Sequence, residues 1–399
     1  MRSRNVLLLL LLLASTSSIA HKKRFATSDF TIRKSAINSF TGLPYGETPA
    51  SLACVYGLTT PVANCNLYNA SEVPSGGWGA IALVDGYYNP YAQSDLQTYA
   101  TKFNYPNTPD FHQVFAYASS TGRKGSDACN GPQPLQGWWD EQVIDIEMAF
   151  SMAPKAKIYL VEAQSGETPD LLTAVSCATS LVQGAGGGII SMSWSVPEYR
   201  EETNDDVYFQ NDKVVYIGSA GDYSKPARYP SASPHVISAG GTTIVRDAAG
   251  NFIQETAWST DPNTPPGGKS GGSGGPSLYE SRPAYQNIVQ RIVGNKRGTP
   301  DIAAIANLSS GVVVYSTYSG GWITTGGTSA ASPILAGIIN SANHRAKSTQ
   351  DELTYIYSFY PKAYHSFWND IVVGNNGYSA MQGYDFATGL GSPHTYGGK

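Results

Sequence analysis

Charge is scarce in this chain of 399 residues. Lys and Arg number 26 and Asp and Glu 30, together 14 % of the residues, against roughly 25 % in an average globular protein. The net charge of −4 leaves out the basic face with which nucleic-acid-binding proteins meet phosphates. Cysteine is scarce as well. Cys54, Cys65, Cys129 and Cys177 form neither a C-x-x-C pair nor a Cys/His cluster, which excludes the common structural zinc sites. No apolar run reaches the about 20 residues that a bilayer core demands. No histidine stands in a His-Gly-Thr helix start, and no segment repeats.

Disorder is excluded in turn, because 41 % hydrophobic residues with so little charge can bury a core. Gly (42), Pro (24) and Tyr (26) are plentiful, which fits many short strands joined by tight turns. Arg2 and Arg4 precede an apolar run over residues 6–14, and Ser18 and Ala20 are small where a signal peptidase cuts. Residues 1–20 therefore read as a signal peptide, which predicts a secreted protein or one of an acidic compartment on that route. Residues 21–45, basic and without period, read as a disordered leader or a short propeptide. Disulfides persist on this route. Of three possible pairings, Cys54–Cys65 is favoured by its turn-rich spacing, and Cys129–Cys177 follows by elimination. Asn69 and Asn307 stand in glycosylation sequons.

From residue 80 onward, short apolar runs alternate with amphipathic stretches. Strands are predicted over 80–84, 114–117, 158–161, 189–194, 214–217, 242–245, 302–306 and 312–315. Helices are predicted over 94–103 with Ser94 as cap, 140–151, 169–181 and 201–212, and another that the small residues of 326–333 lead into and that runs to about 346. Such alternation predicts an α/β domain with a mostly parallel sheet covered on both faces. The stretch 261–277, rich in Gly, Pro and Ser, reads as a surface loop within one domain.

Three segments carry chemistry. In Gly326-Gly327-Thr328-Ser329-Ala330, small residues lead into an apolar helix. A serine in its first turn has backbone N–H groups and the positive helix end beside its hydroxyl, the setting of a nucleophile that generates an oxyanion. A helix cap explains a lone Gly-Thr-Ser equally well. None of the six histidines (His21, His112, His235, His344, His365, His394) is placed to be its base. Glu141 and Asp145, four apart, share a face of an otherwise apolar helix. Paired carboxyls in an apolar setting have one pKa raised and can relay a proton, and they work in acid where histidine is protonated. Asp222 follows an apolar strand in Gly218-Ser219-Ala220-Gly221-Asp222, at the strand end where α/β sites assemble.

Glu141-x-x-x-Asp145, Ser-Ala-Gly-Asp222 and Gly-Gly-Thr-Ser329-Ala in this order resemble the sedolisins, or serine-carboxyl peptidases, which have a subtilisin-like fold. The resemblance runs through about 350 residues and implies one peptidase domain over 46–396. It implies Ser329 as nucleophile, Glu141 as base, Asp145 supporting Glu141, and Asp222 as oxyanion-hole acid, acting on protein or peptide substrates. Trp194 matches a tryptophan near the acidic network, and Asp85 stands where some relatives carry a relay Glu. The tail resembles the family's calcium site, implying one structural Ca2+ on the side chains of Asp370 and Asp385 and the carbonyls of Ile371, Met381 and Gly383. Sedolisins usually carry a large propeptide, whereas about 25 residues here separate the signal peptide from the matching region. The competing reading is a catalytically inactive subtilisin-like binding module.

Overall fold

Side chains alternate between two hydrophobic cores along the central strands, and this alternation organises the molecule. The computed structural model describes residues 24–399 apart from 35–36, 39–41, 118–124, 260–270 and 343. The expected signal peptide and most of the Gly/Pro/Ser-rich stretch lie outside the described residues. In chain order the principal strands are β1 (Thr27–Ser28), β2 (Thr31–Arg33), β3 (Ala80–Gly86), β4 (Phe111–Phe115), β5 (Lys157–Ala163), β6 (Gly188–Met192) and β7 (Trp194–Pro197). They continue with β8 (Val214–Ser219), β9 (Ile237–Arg246), β10 (Phe252–Ala257), β11 (Ile302–Ile305), β12 (Val312–Ser316) and β13 (Gly321–Gly326). The main helices are α1 (Ala92–Lys102), α2 (Trp139–Met152), α3 (Thr168–Gly184) and α4 (Thr328–Ser341).

The large sheet runs β10-β9-β8-β6-β3-β5-β4, with β11 also beside β9. Every pairing in it is parallel except β9 with β10. Ile81, Leu83, Ile158, Leu160, Val215 and Ile217 face one core together with α1, α2 and α4. Ala80, Ala82, Val84, Val161, Ile190 and Tyr216 face the other, covered by α3. A sheet buried on both sides needs apolar residues at every position, which is why its strands read as continuous runs. Each large aliphatic side chain fully buried here contributes about 1.5–3 kcal/mol. Both expected disulfides are formed, Cys54–Cys65 and Cys129–Cys177. No helix among the described residues is long and apolar enough to cross a membrane.

Several boundaries differ from the sequence-based expectation. Ser94 is not the cap of α1: the helix begins two residues earlier, and Ser94 Oγ donates back to the Tyr91 carbonyl at 2.8 Å. The helix expected over 201–212 shrinks to Glu202–Asp205 and a 3-10 turn at Asp206–Phe209. There Glu202 accepts the Tyr199 N–H at 2.8 Å and Asp205 the Tyr199 hydroxyl at 2.5 Å, so the carboxyls serve local bonds. The strand expected over 189–194 breaks at Ser193, between β6 and β7. α4 stops at Ser341, whose hydroxyl donates to the Met152 carbonyl while Asn340 Nδ2 donates to the Trp78 carbonyl.

The leader differs most. β1 pairs antiparallel with β7, Thr27 opposite Ser195 and Ser28 opposite Trp194. β2 pairs antiparallel with β13, Thr31 opposite Gly326. Two strand edges of the domain thus gain partners from a segment whose composition alone shows no period.

Candidate active site

α4 starts abruptly. Gly327 has φ +119°, a region glycine enters without steric cost. A Cβ there would lie 2.1 Å from the Asp29 carbonyl oxygen and 2.8 Å from Asp222 Oδ2. Both oxygens therefore crowd the helix N-terminus. Ser329, the second residue of α4, is fully buried, and its N–H donates to the Asp29 carbonyl at 3.0 Å. Its hydroxyl donates to the Ser193 carbonyl at 3.3 Å. Pro333, four residues on, lacks the N–H that would otherwise take the Ser329 carbonyl within the helix. That carbonyl lies 3.3 Å from Ser193 Oγ instead.

Asp222 is fully buried just beyond β8. Its Oδ1 accepts from both the N–H and the hydroxyl of Thr328, each at 2.8 Å. Thr328 Oγ1 lies 3.1 Å from the Gly221 nitrogen, so the turn before Asp222 is tied to the same helix end. The carboxyl, the Ser329 N–H and a peptide carbonyl meet at one point.

Glu141 and Asp145 sit one turn apart on α2, both fully buried, and α2 packs along α4. Gly337 permits that approach, since a Cβ there would lie 2.5 Å from Met152 Cβ. Ser193 Oγ donates to Asp145 Oδ1 at 2.6 Å, so Ser193 joins Asp145 to Ser329. Burial first, and then the neighbouring Asp85, push the Asp145 carboxyl well above the ordinary range, while the Ser193 bond opposes the shift. Asp85, fully buried on β3, is raised by burial. Trp194 is fully buried and its indole N–H donates to the Val84 carbonyl at 3.0 Å, holding the strand that carries Asp85. Among the described histidines, His112 pairs with Asp110 and His344 with Glu352, both away from Ser329. Two buried acids, a buried serine and a third acid at a helix N-terminus can perform acyl transfer without imidazole.

Sequence reasoning singled out Ser329, Glu141, Asp145 and Asp222, with Trp194 and Asp85 by resemblance, and gave no part to Ser193, Asp29 or the Thr328 hydroxyl. Ser193 had a signal: it stands at the carboxyl end of an apolar strand run, where sites assemble. Asp29 had none, being an isolated acid in an aperiodic segment.

The tail residues form a separate cluster. Asp370 accepts from the Gly383 N–H, at 3.1 Å to both oxygens, and from the Tyr364 hydroxyl at 3.1 Å. Asp385 is buried and accepts from the N–H groups of Met381, Ala387 and Thr388, each at 2.8 Å. Burial pushes its carboxyl up to about 6 despite those bonds. No ion pair among the described residues involves either aspartate. Among those residues, no hydrogen bond ends on the carbonyl oxygens of Ile371, Met381 or Gly383. Two carboxylates with unmatched carbonyls nearby are a hard-oxygen donor set, which fits Ca2+.

The sequence profile of the subtilase family matches residues 128–355. Kumamolisin from Bacillus sp. (strain MN-32) is 27 % identical over 402 aligned residues, covering 92 % of this chain and 66 % of its own. Sedolisin from Pseudomonas sp. (strain 101) is 35 % identical over 199 residues, 47 % of this chain and 32 % of its own. The solved structure of Pseudomonas sedolisin, a serine-carboxyl proteinase complexed with two molecules of pseudo-iodotyrostatin, superposes with a TM-score of 0.69 at 25 % identity. It covers 88 % of this chain and 96 % of that one. The chain belongs to the subtilase family, in its sedolisin branch. It spans 66 % of the kumamolisin sequence and smaller shares of the other curated relatives.

Proposed function

We propose that this protein is a secreted serine-carboxyl endopeptidase that hydrolyses peptide bonds in acid through an acyl-enzyme. The observation that carries the reading is the Ser329 N–H holding a peptide carbonyl at 3.0 Å at the helix end that Asp222 also occupies. Ser329 Oγ attacks the carbonyl carbon, and Glu141 takes the hydroxyl proton and returns it to the leaving amine. Asp145 orients Glu141 and, being held protonated, keeps a second negative charge out of the buried helix face. Asp222, in its protonated form, donates to the oxyanion beside the Ser329 N–H. Water then repeats the sequence on the ester.

Asp370 and Asp385, with the carbonyls of Ile371, Met381 and Gly383, would hold one Ca2+. Held by these residues, the ion would neutralise two carboxylates and tie the tail loop together, a structural role remote from the reacting atoms.

An aldehyde peptide applied at acid pH tests the site, since it forms a hemiacetal with a competent serine. Inhibition of peptide hydrolysis that Ser329→Ala abolishes, with melting temperature unchanged, is the expected result. Peptide hydrolysis by Ser329→Ala at even about a tenth of the unmodified rate contradicts the reading.

A further inference from the structure

A carboxylic acid that donates to an oxyanion must carry its proton on the oxygen that faces the oxyanion. Asp222 has two oxygens, and Thr328, the first residue of α4, treats them differently. The Thr328 N–H reaches Oδ1 at 2.8 Å, and a backbone N–H only donates, so Oδ1 is an acceptor. The Thr328 hydroxyl lies 2.8 Å from the same oxygen. Its orientation is set by the turn before Asp222. The Gly221 N–H donates to Thr328 Oγ1 at 3.1 Å, which occupies a lone pair and turns the hydroxyl hydrogen toward Asp222. Gly221 is held in turn, its carbonyl accepting the Ser273 N–H at 2.7 Å. Two donors thus converge on Oδ1. A proton on that oxygen would face both of them, and a proton on Oδ2 faces neither. Oδ2 lies toward Gly327, 2.8 Å from where a Cβ would stand, and the Asp29 carbonyl oxygen lies 2.1 Å from that same point. That carbonyl is the one held by the Ser329 N–H.

Other titratable groups face this corner. The Arg228 side chain passes Gly221, where a Cβ would lie 2.5 Å from its Cδ. Its Nε donates to Ser195 Oγ at 2.8 Å, and its guanidinium lies 4.3 Å from the centre of the Tyr223 ring. The Asp29 carboxyl accepts from Ser219 Oγ at 2.9 Å. Glu141 and Asp145 enter the site from α2. α4 has no acid in its first turn, and the stretch 271–275 is glycine apart from Ser273. Substituting Thr328 leaves every one of these groups in place, so a changed pH profile is traceable to its hydroxyl.

Resting on the reading of Asp222 as the acid that donates to the oxyanion, we propose that the Thr328 hydroxyl is a positioning group: it reserves Oδ1 as an acceptor and places the Asp222 proton on Oδ2. The same bond favours the ionised carboxylate over the acid, because hydrogen bonds to a charged acceptor are the stronger ones. The hydroxyl therefore aims the proton and also makes it easier to lose. Removing it slows the reaction and raises the pH at which Asp222 gives up its proton. A packing defect has no reason to couple those two effects.

Two substitutions separate the hydroxyl of Thr328 from its methyl, which lies 3.5 Å from where a Cβ on Gly241 would stand. Thr328→Val keeps the shape and removes the hydroxyl; Thr328→Ser keeps the hydroxyl and removes the methyl. The probe is one peptide substrate, with kcat and KM measured from about pH 2 to 8. Thr328→Val should lower kcat at the optimum at least about tenfold with KM little changed, and move the alkaline limb up by about 0.5–1 pH unit. Thr328→Ser should stay within about threefold of the unmodified rate, with the limb in its original place. In an Asp222→Asn background, Thr328→Val should leave the flattened alkaline limb unmoved, because no carboxyl remains there to ionise. Should valine prevent folding, Thr328→Ala also removes the hydroxyl, and the same coupled change is expected of it. A valine variant with the full rate, or a slowed one whose limb stays in place, overturns the inference. So does a serine variant as slow as the valine one. An Asp222→Asn enzyme that keeps the unmodified alkaline limb overturns the reading of Asp222, and this inference with it. If Asp222→Asn flattens the limb while Thr328→Val does not move it, only the role of Thr328 falls.

Discussion

Ser193 shows what one hydroxyl and one carbonyl contribute at the residue scale. Its Oγ holds Asp145 at 2.6 Å and its carbonyl holds the Ser329 hydroxyl at 3.3 Å, so a single residue fixes both the acid and the serine hydroxyl. Ser193→Ala keeps the carbonyl and removes the bond to Asp145, leaving a buried carboxyl oxygen unmatched. The expected loss in kcat is about 10- to 100-fold, with KM little changed and the acid limb of the rate profile displaced. Ser193→Thr should recover most of the rate; failure of threonine to rescue would reduce Ser193 to a packing role. Gly327→Ala makes a sharper steric claim. Its Cβ would stand 2.1 Å from the carbonyl now on Ser329 and 2.8 Å from Asp222. Turnover should drop by at least about two orders of magnitude; a variant that folds and keeps wild-type kcat would move the oxyanion site elsewhere.

Elements were legible in the sequence to different degrees, for physical reasons. The strands over 80–84 and 158–161 showed as apolar runs because both faces of β3 and β5 are covered. α2 was legible along with its acids, since Glu141 and Asp145 stand out on an apolar helix. Ser329 was legible because glycine and small residues must precede a serine buried at a helix end. The leader was not, because β1 and β2 have two and three residues and owe their form to the edges of β7 and β13. The break at Ser193 was hidden for a similar reason: it is set by contacts with α2 and α4, not by local propensity. Taken by spacing alone the tail aspartates read as turn residues, and only the family resemblance points to them as calcium ligands. At this scale the calcium prediction applies. Chelation should lower the melting temperature, because an ion that binds only the native state stabilises it by about 2.7 kcal/mol at a hundred times its Kd. Asp370→Ala should melt low and be indifferent to chelator. Curves unmoved by chelator in the unmodified protein would remove the ion.

Many of the molecule's acids are buried, and this sets its response to pH. Burial pushes Glu255 up to about 7 and Glu162 up to about 8, although both accept hydrogen bonds. Unfolded, such groups ionise near about 4.3. Between these values the native state binds more protons than the unfolded one, so stability falls as pH rises through the window. With calcium held saturating, the melting temperature should be highest near about pH 4 and lower by about 5 °C or more near pH 7.5. A melting temperature that climbs across that interval would contradict the burial of these carboxyls. A fold steadiest in acid also suits the proposed site, where Asp222 would work protonated while Glu141 works ionised.

The central claim is that carboxyls do the work histidine does elsewhere, and the pH dependence of kcat/KM for one peptide tests it most directly. Glu141 must be ionised to take the Ser329 proton, so the rate falls in strong acid. Asp222 must be protonated to donate to the oxyanion, so the rate falls again as that proton is lost. The profile is therefore a bell on the acid side, with its maximum between about pH 3 and 5. In Asp222→Asn, whose amide donates without ionising, the alkaline limb should flatten while some activity remains. A maximum near about pH 8, with activity lost below about pH 6, is the signature of imidazole and would contradict the account.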